Sequence, residues 1–403
     1  MQRREFLTLT AASFCAPALI DALRADESAS LPKNVHSRGS YANSKRVFET
    51  TRKGRVAFMG GSITEMEGYR PMVCDYLQEK FPETEFDFVA AGISSTNSDV
   101  GAYRLEADVI QGQDVDLFFV EFAANDNQDG MFDVEHSLRG MEGIVRHIRT
   151  ACPNVDIVMT FFVNEDIMQK YREGNPAPSI RAHNAVAERY AVSVIDLAKE
   201  IQEQIDSKRL TWEEFGGVHP APRGNRICAD MIAVLLDDAW RGPTAEALAP
   251  HDMPEPIDKY SYANGGFRGF DGVETEGGFD VFVPDWSKIP GAFRERFADV
   301  PCLCADTPGA EATFEFTGNA VALYILAGPD AGIVETQIDG GAWKKVDAYH
   351  DYSAGLHYPR GITLADGLEN GKHTAKIRIS EEKNEQSAGT ALRVMHICVN
   401  QGL

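Results

Sequence analysis

The sequence is short of positive charge. Its 403 residues carry 39 lysines and arginines against 61 aspartates and glutamates, a formal net charge of −22. Nucleic acid and anionic membrane surfaces both demand a basic footprint, so this balance excludes them as partners and favours neutral or cationic ligands. Beyond the amino terminus no apolar run approaches the roughly 20 residues of a membrane helix. An internal repeat of fixed period and low-complexity tracts are also missing. Cysteine is scarce. Of the seven, Cys15 lies in the amino-terminal segment, leaving Cys74, Cys152, Cys228, Cys302, Cys304 and Cys398. Six cysteines allow more pairings than sequence can choose among, and Cys74, Cys152 and Cys228 fall in apolar contexts that suit buried free thiols. Cys302 and Cys304 are too close for a zinc knuckle and have no second Cys or His pair nearby, so neither a metal nor a cofactor is expected.

What is present starts with Arg3-Arg4 followed by Glu5-Phe6-Leu7 and an apolar stretch through Ile20, ending near Leu23-Arg24-Ala25. The order of basic segment, short apolar core and small residue is that of an export signal, and the paired arginines resemble the twin-arginine type. Residues 1–25 are therefore expected to be a signal peptide and the mature chain to be periplasmic or extracellular in a bacterium. Phe14 is too bulky to precede a lipid-modified Cys15, so no membrane attachment is expected once the signal is removed.

Residues 26–50 are polar and lack periodicity, which reads as a linker or an amino-terminal arm. From residue 51 short apolar runs alternate with helical stretches up to residue 242. The strands are Val56–Met59, Phe86–Ala90, Leu117–Phe122, Ile157–Val163 and Val192–Ile195. Helical spacing falls at Tyr69 to Phe81, Val100 to Ile110, Leu138 to Ile148, Ile180 to Tyr190 and Ile227 to Trp240. Such alternation implies crossover units and a parallel sheet covered on both faces, a three-layer α/β domain. Pro243, Pro250, Pro254 and Pro256 mark a linker over 243–258. Beyond it, over 259–403, the runs shorten and are separated by turn signals such as Asp339-Gly340-Gly341, which reads as an antiparallel β-sandwich.

The chemistry sits at strand ends. Val56–Met59 stops at Gly60-Gly61, which places Ser62 where ligands bind in an open parallel sheet and makes it a candidate nucleophile. Acyl transfer by a serine also needs a base and donors for the developing oxyanion. Gly92 follows the second strand and can offer a backbone N–H. Asn125 follows the third and can offer a side-chain amide. His219 lies in Gly216-Gly-Val-His-Pro, just before the last helix, and can serve as base. His183, on a helical stretch, is read as a surface or packing residue. Asn125 to Gly130 imitates a calcium loop, but its twelfth position is His136 where the bidentate glutamate belongs.

In their order and at these strand ends, Ser62, Gly92, Asn125 and His219 resemble the four blocks of the SGNH/GDSL hydrolase superfamily over residues 54 to 240. The resemblance implies a flavodoxin-like sheet, Ser62 as nucleophile, an oxyanion hole from the Ser62 and Gly92 N–H groups and the Asn125 amide, and His219 as base and then acid. One feature departs from it. The family's last block usually reads Asp-x-x-His, yet Gly216 stands three before His219. Glu213 and Glu214 are the candidate acids for orienting the histidine. A backbone carbonyl could serve instead, as similarity to carbohydrate esterases of family 2 implies; there a sandwich precedes the catalytic domain, the reverse of the order here.

The expected function is an exported serine esterase that hydrolyses small acyl esters, acetyl above all, on an oligo- or polysaccharide. The competing reading is an inactive SGNH-like carbohydrate-binding protein that lost activity with its aspartate. Trp286, Trp343, Tyr349, Tyr352 and Tyr358 are candidates for stacking on sugar rings, or equally for core and rim positions.

Overall fold

The computed structural model describes residues 31–403. The export signal read at residues 1–25, and the first residues of the arm, lie outside the described residues. Six strands form the first sheet: β1 (Val35–His36), β2 (Lys53–Gly60), β3 (Glu85–Gly92), β4 (Leu117–Val120), β5 (Asp156–Thr160) and β6 (Ser193–Ile195). Their spatial order is β1-β6-β5-β4-β2-β3. β2 to β6 run parallel, and β1 joins β6 antiparallel. Leaving β1 aside, the order is second, first, third, fourth, fifth, the doubly wound flavodoxin-like arrangement. β2 from Val56 to Met59 and the whole of β4 are apolar and buried because helices cover both faces.

The polar stretch expected as an arm is instead built into this domain from β1 onward. Helix Ala42–Thr51 packs through Phe48, and much of its attachment is polar. The Ser44 N–H donates to Asp156 Oδ2 at 2.8 Å, the Tyr41 hydroxyl to the Ile157 carbonyl at 2.6 Å, and Trp240 Nε1 to the Tyr41 carbonyl at 3.1 Å. Burial through hydrogen bonds leaves no apolar periodicity to read.

Residues 265 onward form two further sheets, of seven and five strands, packed face to face. The strand Ala320–Ala327 is buried at every position. Val321, Leu323 and Ile325 point into the space between the two sheets, whereas Ala320, Ala322, Tyr324 and Leu326 join the core of the α/β domain. This two-residue alternation explains an unbroken apolar run in an antiparallel sheet, since neither face is left to water. The strand beside it, Leu392–Asn400, does the same. Leu392, Val394, Ile397 and Val399 face the sandwich interior, and Met395 and Cys398 face the α/β core, with a bulge between Val394 and His396 that shifts the phase of the alternation. The two regions thus share one continuous core. Among the described residues no helix is long and apolar enough to cross a membrane.

Candidate active site

β2 ends at Gly60, and Ser62 begins the short helix Ser62–Glu65. Two glycines precede it because side chains just beyond β4 crowd the turn. A Cβ on Gly60 would lie 2.0 Å from Glu121 Oε1, and one on Gly61 2.3 Å from Asn125 Oδ1. Glu121 is the polar residue in an otherwise apolar strand end, and it is fully buried. It accepts the Gly61 N–H at 3.0 Å and the Thr64 hydroxyl at 2.8 Å, which fixes the turn carrying Ser62. Burial pushes its carboxyl up to about 8, against these hydrogen bonds, which pull it down.

β3 ends at Gly92, against the same helix; a Cβ there would lie 2.2 Å from the Glu65 nitrogen. The buried Arg104 donates to the Ala91 carbonyl at 2.7 Å and to the Gly60 carbonyl at 3.0 Å. In a trans peptide the carbonyl and the next N–H point in opposite directions, so holding the Ala91 carbonyl turns the Gly92 N–H away from Arg104. The Ile93 N–H donates to Gly60, and strand alternation therefore directs the Gly92 N–H out of the ladder. Asn125 sits in the helix Ala123–Gln128 that follows β4. Its Nδ2 donates to Asp129 Oδ2 at 2.7 Å, leaving the second amide proton uncommitted. The calcium-like segment is thus helical, with its first and fifth residues paired to each other.

His219 Nε2 lies 2.8 Å from Ser62 Oγ. The loop that carries it is closed by the Ala221 N–H donating to the Phe215 carbonyl at 2.7 Å and is pinned by Asn225 Nδ2 on the Pro220 carbonyl at 2.6 Å. Gly216 ends the short helix Trp212–Phe215 with φ +106°, and a Cβ there would lie 2.1 Å from the Ala221 nitrogen. The backbone that delivers His219 therefore has no room for a side chain where the aspartate would stand. Neither glutamate replaces it. Glu214 closes a capping box with Thr211 and pairs with Arg223 at 3.2 Å, and among the described residues no hydrogen bond or ion pair joins Glu213 to the imidazole. Among the described residues the one hydrogen bond of the His219 ring is to Ser62.

His183 is fully buried with its Nε2 2.9 Å from Asp126 Oδ2, so it is a packing residue and not a surface one. Asp126 also takes the Ser98 N–H and hydroxyl at 2.8 and 2.6 Å, anchoring the helix that bears Asn125. Glu121, Arg104 and Asp126 escaped sequence reasoning as site residues. Glu121 alone left a signal, a carboxylate in an apolar strand. Of the five aromatics, Tyr349 and Tyr358 are buried, Trp286 donates to the Ala298 carbonyl at 3.0 Å, and Trp343 is covered by Arg378 at 4.2 Å. Tyr352 is 38% exposed and lines a cavity of about 50 Å³ with Asn97, Asp129, Phe132, His350 and Arg360. The six described cysteines are free thiols.

Residues 58–227 match the family described as the GDSL-like Lipase/Acylhydrolase family. Two solved structures of a two-domain esterase called CEX, described as active on acetylated mannans, share the fold over nearly the whole chain. One is co-crystallised with mannopentaose. Both align at a TM-score of 0.73 and 22% identity, covering 91% of this chain and 96% and 97% of their own. The acetylxylan esterase Axe2 from Geobacillus stearothermophilus aligns at a TM-score of 0.36 and 22% identity, covering 48% of this chain and 97% of its own. Comparison with curated protein sequences finds no match.

Proposed function

We propose that the chain is a serine esterase that removes acetyl groups from a carbohydrate, a reading supported by the match of residues 58–227 to the GDSL-like lipase/acylhydrolase family. The observation that carries this reading is the 2.8 Å approach of His219 Nε2 to Ser62 Oγ at the carboxyl ends of the parallel strands. In this mechanism Ser62 Oγ attacks the ester carbonyl while His219 Nε2 takes its proton. The oxyanion is met by the Ser62 and Gly92 N–H groups and the free proton of the Asn125 amide. Collapse of the tetrahedral intermediate returns the proton from His219 to the departing sugar hydroxyl. Water, deprotonated by the same imidazole, then attacks the acetyl-serine, and acetate leaves with Ser62 restored.

Acetylated mannan is the first candidate substrate, supported by the matching two-region architecture of an esterase described as active on it. Export as a folded protein through the twin-arginine signal of residues 1–25 brings the enzyme to such polymers. The test is turnover of an activated acetate ester and acetate release from acetylated glycans. Ser62→Ala should reduce the first by about a thousandfold or more.

A second reading, a carbohydrate-binding protein without activity, draws on the single hydrogen bond of the His219 ring. Mannan binding without turnover of the activated ester by the unaltered chain would establish it in place of the first.

A further inference from the structure

Three side chains from the C-terminal region reach the walls of the site. Tyr352 lies in the turn Asp351–Ala354. Its hydroxyl donates to Asp129 Oδ1 at 2.9 Å and accepts from Gln128 Nε2 at 2.7 Å. The other oxygen of Asp129 takes Asn125 Nδ2 at 2.7 Å. Burial, and next the Asp129 carboxylate, push the Tyr352 phenol upward, so it keeps its proton and stays the donor. An amide nitrogen holds its two protons in one plane, so committing one to Asp129 sets the direction of the other.

On the opposite wall Arg296 Nη1 lies 2.7 Å from Glu65 Oε1 and 3.2 Å from the Gly92 carbonyl. Arg294 donates to the Ser94 carbonyl at 2.8 Å and to Ser95 Oγ at 3.0 Å. Glu65, three residues beyond Ser62, closes the clamp by accepting both the N–H and the hydroxyl of Ser94. Burial raises its carboxyl, but Ser94 and Arg296 outweigh that and hold it below the usual range, so it stays an acceptor at neutral pH.

We propose that Tyr352 and Arg296 are positioning residues for the oxyanion site, Tyr352 acting on Asn125 through Asp129 and Arg296 acting on Gly92 directly and through Glu65. This rests on the esterase reading above. It makes the sandwich part of the catalytic apparatus, even for a substrate too small to touch it.

The experiment uses the full chain and p-nitrophenyl acetate. Tyr352→Phe, which removes one hydroxyl, and Arg296→Ala should each lower kcat about tenfold or more while KM changes less than about twofold. Arg296→Lys should recover part of the loss because an ammonium can still reach Glu65. Asp129→Asn breaks the same relay at its other end and should repeat the Tyr352→Phe signature. A readout independent of turnover is the side-chain amide resonance pair of Asn125 in asparagine-15N-labelled protein, identified by its loss in Asn125→Ala. That pair should shift in Tyr352→Phe. Inactivity of the unaltered chain would sink the esterase reading alone, since the amide shift still reports the relay. An unmoved amide pair, unchanged kcat, or an effect confined to KM would overturn the proposal.

Discussion

Gly216 is packed against Ala221 so closely that a Cβ on it would lie 2.1 Å from the Ala221 nitrogen, itself bonded to the Phe215 carbonyl at 2.7 Å. The loop thereby reaches Ser62 with its histidine but cannot carry a carboxylate at that position. Gly216→Asp should therefore not rebuild a triad. It forces a side chain into a left-handed backbone, which alone costs on the order of 1–2 kcal/mol, and into a clash besides. The expected outcome is a lower melting temperature and reduced hydrolysis of an activated acetate. An increase in kcat would mean that the loop rearranges to admit the acid.

Glu121 should leave a mark on stability against pH. Its folded value of about 8 lies above the ordinary carboxylate value of 4.5. The folded state therefore holds a proton that the unfolded state releases, and stability falls as pH rises from about 4.5 to about 8. Glu121→Gln keeps an acceptor for the Gly61 N–H and the Thr64 hydroxyl without ionising. Denaturant titrations at pH 5 and pH 8 should show a smaller difference for the variant than for the parent. Equal differences would show that Glu121 is charged throughout.

Asn125 is expected to lose more than a neighbouring polar residue would. Removing one oxyanion donor costs about a hundredfold to a thousandfold in kcat in serine hydrolases, and Asn125→Ala should fall in that range with little change in KM. A purely structural role would appear instead as a lowered melting temperature with normal kcat in the surviving folded protein.

Leu323 and Leu326 lie on opposite faces of one strand, yet both are buried, at 0% and 3% exposure. A half-solvated strand would tolerate one substitution and not the other. Here Leu323→Ala and Leu326→Ala should each cost about 2–5 kcal/mol in chemical denaturation. Because Leu326 packs in the core shared with the α/β domain, the chain should unfold in one transition. A near-neutral Leu326→Ala, or two separated transitions, would contradict the shared core.

The parallel strands were legible because fully buried strands leave apolar runs bounded by glycine, and the candidate site because Ser62, Gly92, Asn125 and His219 each follow or precede such an element. Val35–His36 and the helix Ala42–Thr51 were not, since Ser44 and Tyr41 are held by hydrogen bonds and not by an apolar stripe. The helix Leu197–Asp206 was overlooked although its signal is local: Asp196 caps it by accepting the Lys199 N–H, ahead of Leu197, Ala198 and Ile201. Glu213 and Glu214 were reasonable by distance along the chain, but Glu214 is consumed by its own helix cap. Arg296 and Tyr352 could not have been found, because each meets the site across more than 200 residues of sequence.

The most direct test of Ser62 activated by His219 is labelling with a fluorophosphonate, followed by peptide mass mapping of the full chain. The reagent phosphonylates an activated serine and releases fluoride, and it asks nothing about the sugar. The label should appear on the peptide bearing Ser62, be absent in Ser62→Ala, and form far more slowly in His219→Ala. An unlabelled chain, or a label on another serine that persists in Ser62→Ala, would contradict the assignment of Ser62 as the nucleophile.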